Sequence, residues 1–263
     1  MKLPIDTYFT ALQSSTQSNA IIDKLPFRVI GQNIWLYRST SSIETEIVGP
    51  ITMKEQEELI DIFIEKKCEI IVIDGSIDRK SICLCDKVSE IALVVGAAHG
   101  TLSEIIEQTE QLVLLTRFAK YRLEKYETIT YKTTKQDKVC RTKLSSIYSN
   151  ESYLDDLLQK EIEWIYFPGA LTDTSFQKLK SSLFKYKGKV IFEHPINVNI
   201  KTADLKALTD KIQLYSRQDF PIKMIAVNSY SPIEKHIDAD KIRNKMKEIF
   251  INIPVIDVCE VVM

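Results

Sequence analysis

Short runs of apolar, mostly β-branched residues recur along this 263-residue chain, and a helical pattern follows most of them. Residues 69–74 (EIIVID) and 91–96 (IALVVG) show no alternation of apolar and polar side chains. Such runs are typical of strands buried on both faces of a parallel sheet. Further strands are predicted at 163–167, 189–194, 222–228 and 253–258. Parallel strands need crossover connections, so we expect helices between them.

Helix-start signals occur where these connections are expected. Thr52 with Glu55, and Thr101 with Glu104, have the spacing of a capping box, in which each side chain bonds the other residue's backbone N–H. Further helices are predicted near 150–160, from about 172 to before 188, at about 203–213 and at about 239–250. The alternation of strands and helices predicts an α/β fold, a mostly parallel sheet with flanking helices in two α/β halves.

Two regions interrupt this alternation. The first 26 residues are polar and weakly patterned, with a short helix predicted around Tyr8–Leu12. Residues 127–143 alternate around a polar centre and predict a β-hairpin insertion. The predicted parts are an N-terminal arm (1–26), a first α/β half (27–126), a β-hairpin connector (127–149) and a second α/β half (150–263).

Charge and composition narrow the class of partner. The chain has 35 basic and 36 acidic side chains, so it lacks the basic excess typical of nucleic-acid-binding domains. No apolar run approaches the roughly 18 residues of a membrane span, and the N-terminus has no secretory signal. The 5 cysteines form no CxxC pair, which fits reduced thiols. We therefore expect a cytoplasmic protein with neither nucleic acid nor membrane as a partner.

Glycine is scarce, and this limits the chemistry of the chain. Its 7 glycines cannot be assembled into a Walker A loop or a Rossmann G-x-G-x-x-G turn. The 3 histidines have no zinc-binding spacing, and no nucleophile elbow is present. We predict no catalytic residue and no metal ligand set, which argues against an enzyme.

Polar residues follow the predicted strands in four loops, 74–86, 96–104, 168–175 and 228–238. Because ligands of parallel sheets bind outside the carboxyl ends of the strands, we predict one composite surface built from these loops. The residues expected to contact a ligand or partner are Asp74, Gly75, Asp78, Arg79, Lys80, Ser81, Asp86, Gly96, His99, Gly100, Thr101, Gly169, Thr172, Asp173, Asn228 and Ser231.

The loop after residue 74 has the densest set of charged groups. Asp74 could hold Mg²⁺ through water, Arg79 could bind a carboxylate or phosphate through two hydrogen bonds, and Lys80 could supply a positive charge. In the alternative interpretation Asp74 caps the loop and both cations are solvated. Near His99, a helix N-terminus offers backbone N–H groups to an anion. Recognition is favoured over bond-breaking chemistry, because the chain has no P-loop.

Several segments together resemble a known family. They read GPITMKEQEELIDIF, IIVIDGSIDRKSI and VSEIALVVGAAHGTLSEIIEQTEQLVLL in the first half, then IYFPGALTD and IAVNSYSPIEKHIDADKIRNKMKEIFINIPVIDV. Their order and spacing, from about residue 25 to 258, resemble the accessory reactivase proteins of adenosylcobalamin-dependent lysine 5,6-aminomutase. The matching positions are Gly49, Pro50, Asp74, Gly75, Arg79, Lys80, Ser81, Asp86, Gly96, Ala97, Pro168, Gly169, Leu171, Thr172, Asp173, Asn228, Ser231, Pro232, Asp238, Pro254 and Asp257.

The resemblance implies a chaperone-like role in amino-acid fermentation. A reactivase opens an aminomutase whose adenosylcobalamin has lost its adenosyl group, so that the damaged cofactor leaves. Longer relatives carry a glycine-rich nucleotide-binding region that this chain lacks, which implies a non-motor subunit. ATP and magnesium would then act through an ATPase partner, and this chain would hold no cofactor tightly.

Two other interpretations remain open. In one, the chain is a nucleotide- or anion-binding enzyme that uses the Asp74, Arg79 and Lys80 loop with magnesium. In the other, it is a degenerate scaffold protein. The sequence also leaves a homo-oligomer open.

Overall fold

A computed structural model describes residues 2–13, 19–74, 85–96, 100–135, 138–228 and 238–258. Its strands are β1 (Lys2–Leu3), β2 (Tyr8–Leu12), β3 (Asn19–Val29), β4 (Gln32–Ser39), β5 (Ile43–Glu44), β6 (Ile91–Gly96), β7 (Ala119–Lys120), β8 (Thr130–Thr133), β9 (Val139–Arg141), β10 (Ile162–Phe167), β11 (Leu171–Thr172), β12 (Lys189–Phe192), β13 (Val198–Asn199), β14 (Leu214–Ser216), β15 (Ile222–Asn228) and β16 (Val255–Asp257). Its α-helices are α1 (Met53–Glu65), α2 (Leu102–Leu115), α3 (Glu151–Leu158), α4 (Asp173–Lys185), α5 (Thr202–Lys211) and α6 (Ala239–Ile249). The chain divides into two compact units, Met1–Val88 and Ser89–Met263.

The first unit contains an antiparallel sheet in the order β2-β4-β3. Leu25 and Phe27 of β3, and Ile34 and Leu36 of β4, form a buried cluster with Leu59 of α1. The helix therefore packs its apolar face onto this sheet. The capping box predicted for α1 is confirmed, because the Thr52 hydroxyl accepts from the Glu55 N–H and the Glu55 carboxylate accepts from the Thr52 N–H.

Residues 8–12 form strand β2, so the helix predicted there is wrong. All five residues pair with β4, from Tyr8 opposite Arg38 to Leu12 opposite Ile34. Phe9 stacks on Tyr37 of β4, with ring centroids 5.4 Å apart, and Ala11 is fully buried. Pairing with a neighbouring strand outweighs the weak local pattern. The predicted N-terminal arm is thus part of a sheet.

The β3–β4 hairpin turns at Ile30 and Gly31, both at positive φ (50° and 76°). Glycine adopts such angles readily, whereas a β-branched residue rarely does. Ile30 is also 91% exposed. The hairpin forms in spite of this turn, because the strands on either side of it are paired.

The second unit contains a three-stranded sheet and a six-stranded sheet. A three-stranded sheet in the order β16-β15-β6 is parallel throughout. One of its faces packs on α2 and α6 through a cluster that includes Val95, Ile225, Ile105 and Ile242. The capping box predicted for α2 is confirmed, with Thr101 as the N-cap residue.

A six-stranded sheet has the order β7-β14-β12-β10-β8-β9. Its first four strands are parallel, and β8 and β9 form the predicted hairpin, antiparallel to each other and to β10. The hairpin is therefore a sheet edge inside the second unit. All four residues of β8 pair with β10, and the division of the chain into two units lies at residue 88.

The α/β fold with mostly parallel strands and flanking helices is as predicted, and the strands expected at 163–167, 189–194, 222–228 and 253–258 are present. The strand predicted at 69–74 is wrong. Ile70 and Val72 are 81% and 83% exposed, and the structure describes no hydrogen bond to the backbone of 69–74. A strand needs a neighbour for its backbone groups, and the described residues provide none. None of the helices that the structure describes combines the length and apolar character needed to cross a membrane.

Candidate functional site

The three parallel strands of the small sheet end together at one edge. Asn228 of β15 pairs with Gly96 of β6, and Val227 pairs with Asp257 of β16. We call Gly96, Asn228 and Asp257 the small-sheet edge. These residues come from segments far apart in the sequence, and the carboxyl end of a parallel sheet is where ligands bind. The small-sheet edge is therefore the candidate site.

The two polar side chains of this edge belong to opposite faces of the sheet. Asp257 pairs with Val227, whose side chain lies in the core below α2 and α6, and Asp257 is only 3% exposed. Asn228 is the next residue along β15 and so belongs to the other face, where it is half-buried. Asn228 is therefore the more exposed of the two polar residues of this edge.

The N-terminus of α2, which was predicted as an anion site, already holds a carboxylate. Glu104 Oε2 accepts from the Thr101 backbone N–H at 2.8 Å and from the Thr101 hydroxyl at 2.8 Å. The backbone hydrogen bond, and then the side-chain bond, lower the pKa of Glu104. Gly100 lies beside this carboxylate at φ +146°, and a Cβ there would come within 2.8 Å of Glu104 Oε2. Gly100 and Thr101 therefore serve the cap.

A second group of polar side chains lies at the carboxyl edge of the six-stranded sheet. Glu193 directly follows β12 and Arg217 directly follows β14. Arg217 Nε donates to both Glu193 carboxylate oxygens at 3.0 and 2.9 Å, and Arg217 Nη2 donates to Oε1 at 2.7 Å. Tyr166 of β10 donates its hydroxyl to Glu193 Oε2 at 2.7 Å. We call these three residues the Glu193 cluster; it connects three adjacent strands.

The Glu193 cluster is mostly buried, with side-chain exposures of 23% for Arg217 and 17% for Glu193. Burial acts to raise the pKa of Glu193, but the hydrogen bonds from Arg217 and Tyr166 and the charges of Arg217 and Lys125 outweigh it, so the pKa is lowered. Burial and the bond to Glu193 raise the pKa of Tyr166. Glu193 is thus an ionised carboxylate that already accepts three donor groups, an arrangement suited to holding strands together.

The Glu193 cluster was not predicted from the sequence. Glu193 and Arg217 lie 24 residues apart, and Tyr166 and Glu193 lie 27 apart. The available signal was position, because Glu193 and Arg217 both lie at the carboxyl ends of parallel strands, where side chains of neighbouring strands meet.

Three predicted site residues lie between the end of β10 and the first residue of α4, and they have contacts that hold the chain in place. Asp173 Oδ1 accepts from the Lys201 backbone N–H at 2.8 Å, and Thr172 pairs with Asn199 of β13. A Cβ on Gly169 would come within 3.2 Å of the Ser145 carbonyl oxygen. These residues follow β10 of the six-stranded sheet, whereas Gly96 and Asn228 end strands of the three-stranded sheet.

Two more of the predicted site residues, Asp74 and Asp86, are exposed residues of the first unit. The other predicted residues lie outside the described part of the chain; they are Gly75, Asp78, Arg79, Lys80, Ser81, His99 and Ser231. Within the described ranges, no group of three or more His, Cys, Asp or Glu side chains could hold a metal ion.

A cleft of about 1110 Å³ lies at the opposite, amino-terminal end of β10 and β12. Ile162, Tyr186 and Gly188 line it, together with several lysines. Tyr186 donates its hydroxyl to the Ile162 carbonyl at 3.2 Å, and a Cβ on Gly188 would come within 2.5 Å of the same oxygen. The wall of the cleft is thus made of groups that bond one another, at the end of the sheet away from the carboxyl edge.

No protein-family model, curated protein or solved structure matches this chain. The family resemblance of the sequence therefore stays a prediction. Of the residues predicted to contact a ligand or partner, Gly96 and Asn228 lie side by side at the small-sheet edge.

Proposed function

We propose that this chain is the non-motor subunit of a reactivating factor for an adenosylcobalamin-dependent lysine 5,6-aminomutase. It would help an ATPase partner to release damaged cobalamin. The observation that carries the proposal is the ordered resemblance of segments from about residue 25 to 258. Other positions of the same resemblance, such as Arg79 and Ser231, lie outside the described residues.

The arrangement of the small-sheet edge supports the proposal. Gly96 belongs to one resembling segment, and Asn228 and Asp257 belong to another that begins more than a hundred residues later. The structure pairs Gly96 with Asn228 and places Asp257 on the next strand. This common position at one edge of a sheet supports a role for the three residues in a single site.

The non-motor role has separate support. The chain has no Walker A loop, because its 7 glycines do not allow one. The helix start that could have bound phosphate at α2 is bonded to Glu104 instead. A protein of this kind acts by binding one state of its partner more tightly than another, and a surface is sufficient for that.

Reconstitution of the reaction tests the proposal. Lysine 5,6-aminomutase is first inactivated by turnover and then incubated with the ATPase subunit, ATP and Mg²⁺, with or without this chain. Recovered turnover and release of cobalamin into a filtrate are measured. We expect recovery only when the chain is present. If turnover does not recover and no complex forms on a sizing column, the proposal is overturned.

A matched pair of variants locates the site. Asn228→Ala removes the half-buried amide of the small-sheet edge, and we expect it to slow the recovery at least tenfold. Asn199→Ala removes an exposed amide from β13, near the six-stranded sheet, and should leave the recovery unchanged. Equal effects of the two variants would show that the small-sheet edge is not the site.

A further inference from the structure

Residues 69–74, which we call the unpaired segment, have the composition of a buried strand and the surroundings of an exposed loop. Ile70 and Val72 are 81% and 83% exposed. The last backbone hydrogen bond before the segment runs from the Cys68 N–H to the Phe63 carbonyl, at 3.1 Å. Across the described ranges, no residue bonds to the backbone of 69–74. Two large apolar side chains therefore face solvent, and the backbone beside them belongs to no sheet among the described residues.

The local sequence favours an extended strand. Residues 70–73 are four consecutive β-branched residues, Ile, Ile, Val and Ile, without glycine or proline. Such residues have high strand propensity, and a short apolar segment with open backbone groups is the type that adds to the edge of another sheet. Recognition by strand addition draws its affinity from main-chain hydrogen bonds and its specificity from alternate side chains.

We infer that the unpaired segment is a docking strand for a partner protein, which it binds by adding to an exposed sheet edge flanked by basic residues. Ile70 and Val72 share one face of an extended chain and would enter apolar sites beside that edge. Glu69 and Asp74, both exposed, put a carboxylate at each end of the segment. Lys66 and Lys67 lie in the turn that ends α1, where Lys67 has φ 60°, outside the extended part.

The charges also select the type of partner. If two copies of this chain paired their segments in antiparallel fashion, Glu69 would lie opposite Asp74, and like charges opposite each other destabilise a strand pair. A partner edge with lysine or arginine at its ends would instead form favourable pairs. The inference goes beyond the proposed function, because it concerns the first unit and does not depend on the identity of the partner.

Hydrogen–deuterium exchange of the full chain tests the inference. The probe is a cyclic β-hairpin peptide whose free edge reads Lys-Val-Thr-Val-Thr-Lys, and its control carries Glu in place of both Lys. We expect rapid exchange of amides 70–74 in the free chain. The basic peptide should slow it at least tenfold, and the acidic peptide should have a much smaller effect.

Two variants at one position separate strand addition from simple hydrophobic contact. Val72→Pro removes a backbone N–H from a solvent-exposed position and should abolish the protection. Val72→Thr keeps the backbone and the strand propensity and should retain most of it. The inference is overturned if neither peptide protects 70–74, or if both protect equally. It is also overturned if these amides are already protected in the free monomer, or if protection grows with the concentration of this chain alone.

Discussion

Residues 69–74 (EIIVID) and strand β6 (IALVVG) are both short apolar runs that contain β-branched residues, but they have different structures. Strand β6 pairs with β15 over its whole length, and Val95 in it is 7% exposed. The segment 69–74 has no described backbone partner, and Val72 in it is 83% exposed. An apolar, β-branched run can therefore form a strand, but it does so only where a neighbouring strand pairs with it.

The largest effect is expected from a charge placed in each of the two regions. Val95→Asp puts an unpaired carboxylate into the core below α2 and α6, which should lower the free energy of unfolding by about 4 kcal/mol or prevent folding of that unit. Val72→Asp is the matched control and should change the free energy of unfolding by less than about 0.5 kcal/mol. Urea unfolding followed by circular dichroism measures both. Similar losses for the two variants would show that 69–74 is buried in solution.

A somewhat smaller effect is expected where paired strands are further joined by side chains. Arg217→Ala leaves the mostly buried Glu193 carboxylate without its charged partner. We expect this change to lower the free energy of unfolding by about 3 kcal/mol. The exposed pair Arg117 and Asp210 offers the control, because Arg117→Ala should cost at most about 1 kcal/mol. Thermal unfolding of both variants measures the two losses of stability. Equal losses would mean that the Glu193 cluster adds no more than a surface ion pair.

Acid should weaken the same cluster. The folded-state pKa of Glu193 is lowered, so its stabilising contribution is present above the unfolded pKa of about 4.3 and is lost as pH falls through the folded value. We expect Glu193→Gln to be less stable than the parent chain at pH 7 and the difference to shrink below about pH 4. Urea unfolding at several pH values measures it. A difference that stays constant to pH 3 would contradict the assignment of an ionised Glu193.

The smallest effect concerns the β3–β4 hairpin, in which paired strands tolerate an unfavourable turn. Ile30→Asn places a residue that accepts positive φ at the turn, and should raise the free energy of unfolding by about 1 kcal/mol. Ile5→Asn is a control at an exposed isoleucine that does not have positive φ, and should give no gain. Thermal unfolding of both variants is sufficient. A loss of stability in Ile30→Asn would show that the turn is not strained.

Signals within a few residues predicted local structure well. The capping boxes at Thr52 and Thr101 mark the starts of α1 and α2, and the alternation near residue 130 marks β8 and β9. The structure of segments that depend on residues far away in the sequence was predicted poorly. Residues 8–12 became a strand because β4 lies beside them, and 69–74 did not because no described strand does.

The candidate site shows the same limit. The residues of the small-sheet edge could be suspected because each lies at or near the end of a predicted strand, although only the strand order brings Gly96 beside Asn228. The Glu193 cluster was not predicted, because its members come from three strands and meet only through the strand order. Strand order is a property of the whole unit, and a single segment carries no information about it.

The cap of α2 also determines how this chain would respond to phosphate-bearing molecules. The Glu104 carboxylate is tethered three residues from the Thr101 amide that it bonds. A tethered group competes at an effective concentration on the order of millimolar or more, even before the rigidity of the helix is considered. A nucleotide or phosphate would have to displace this carboxylate before it could bind the Thr101 amide. The same tether satisfies the Thr101 amide whether or not such a molecule is present.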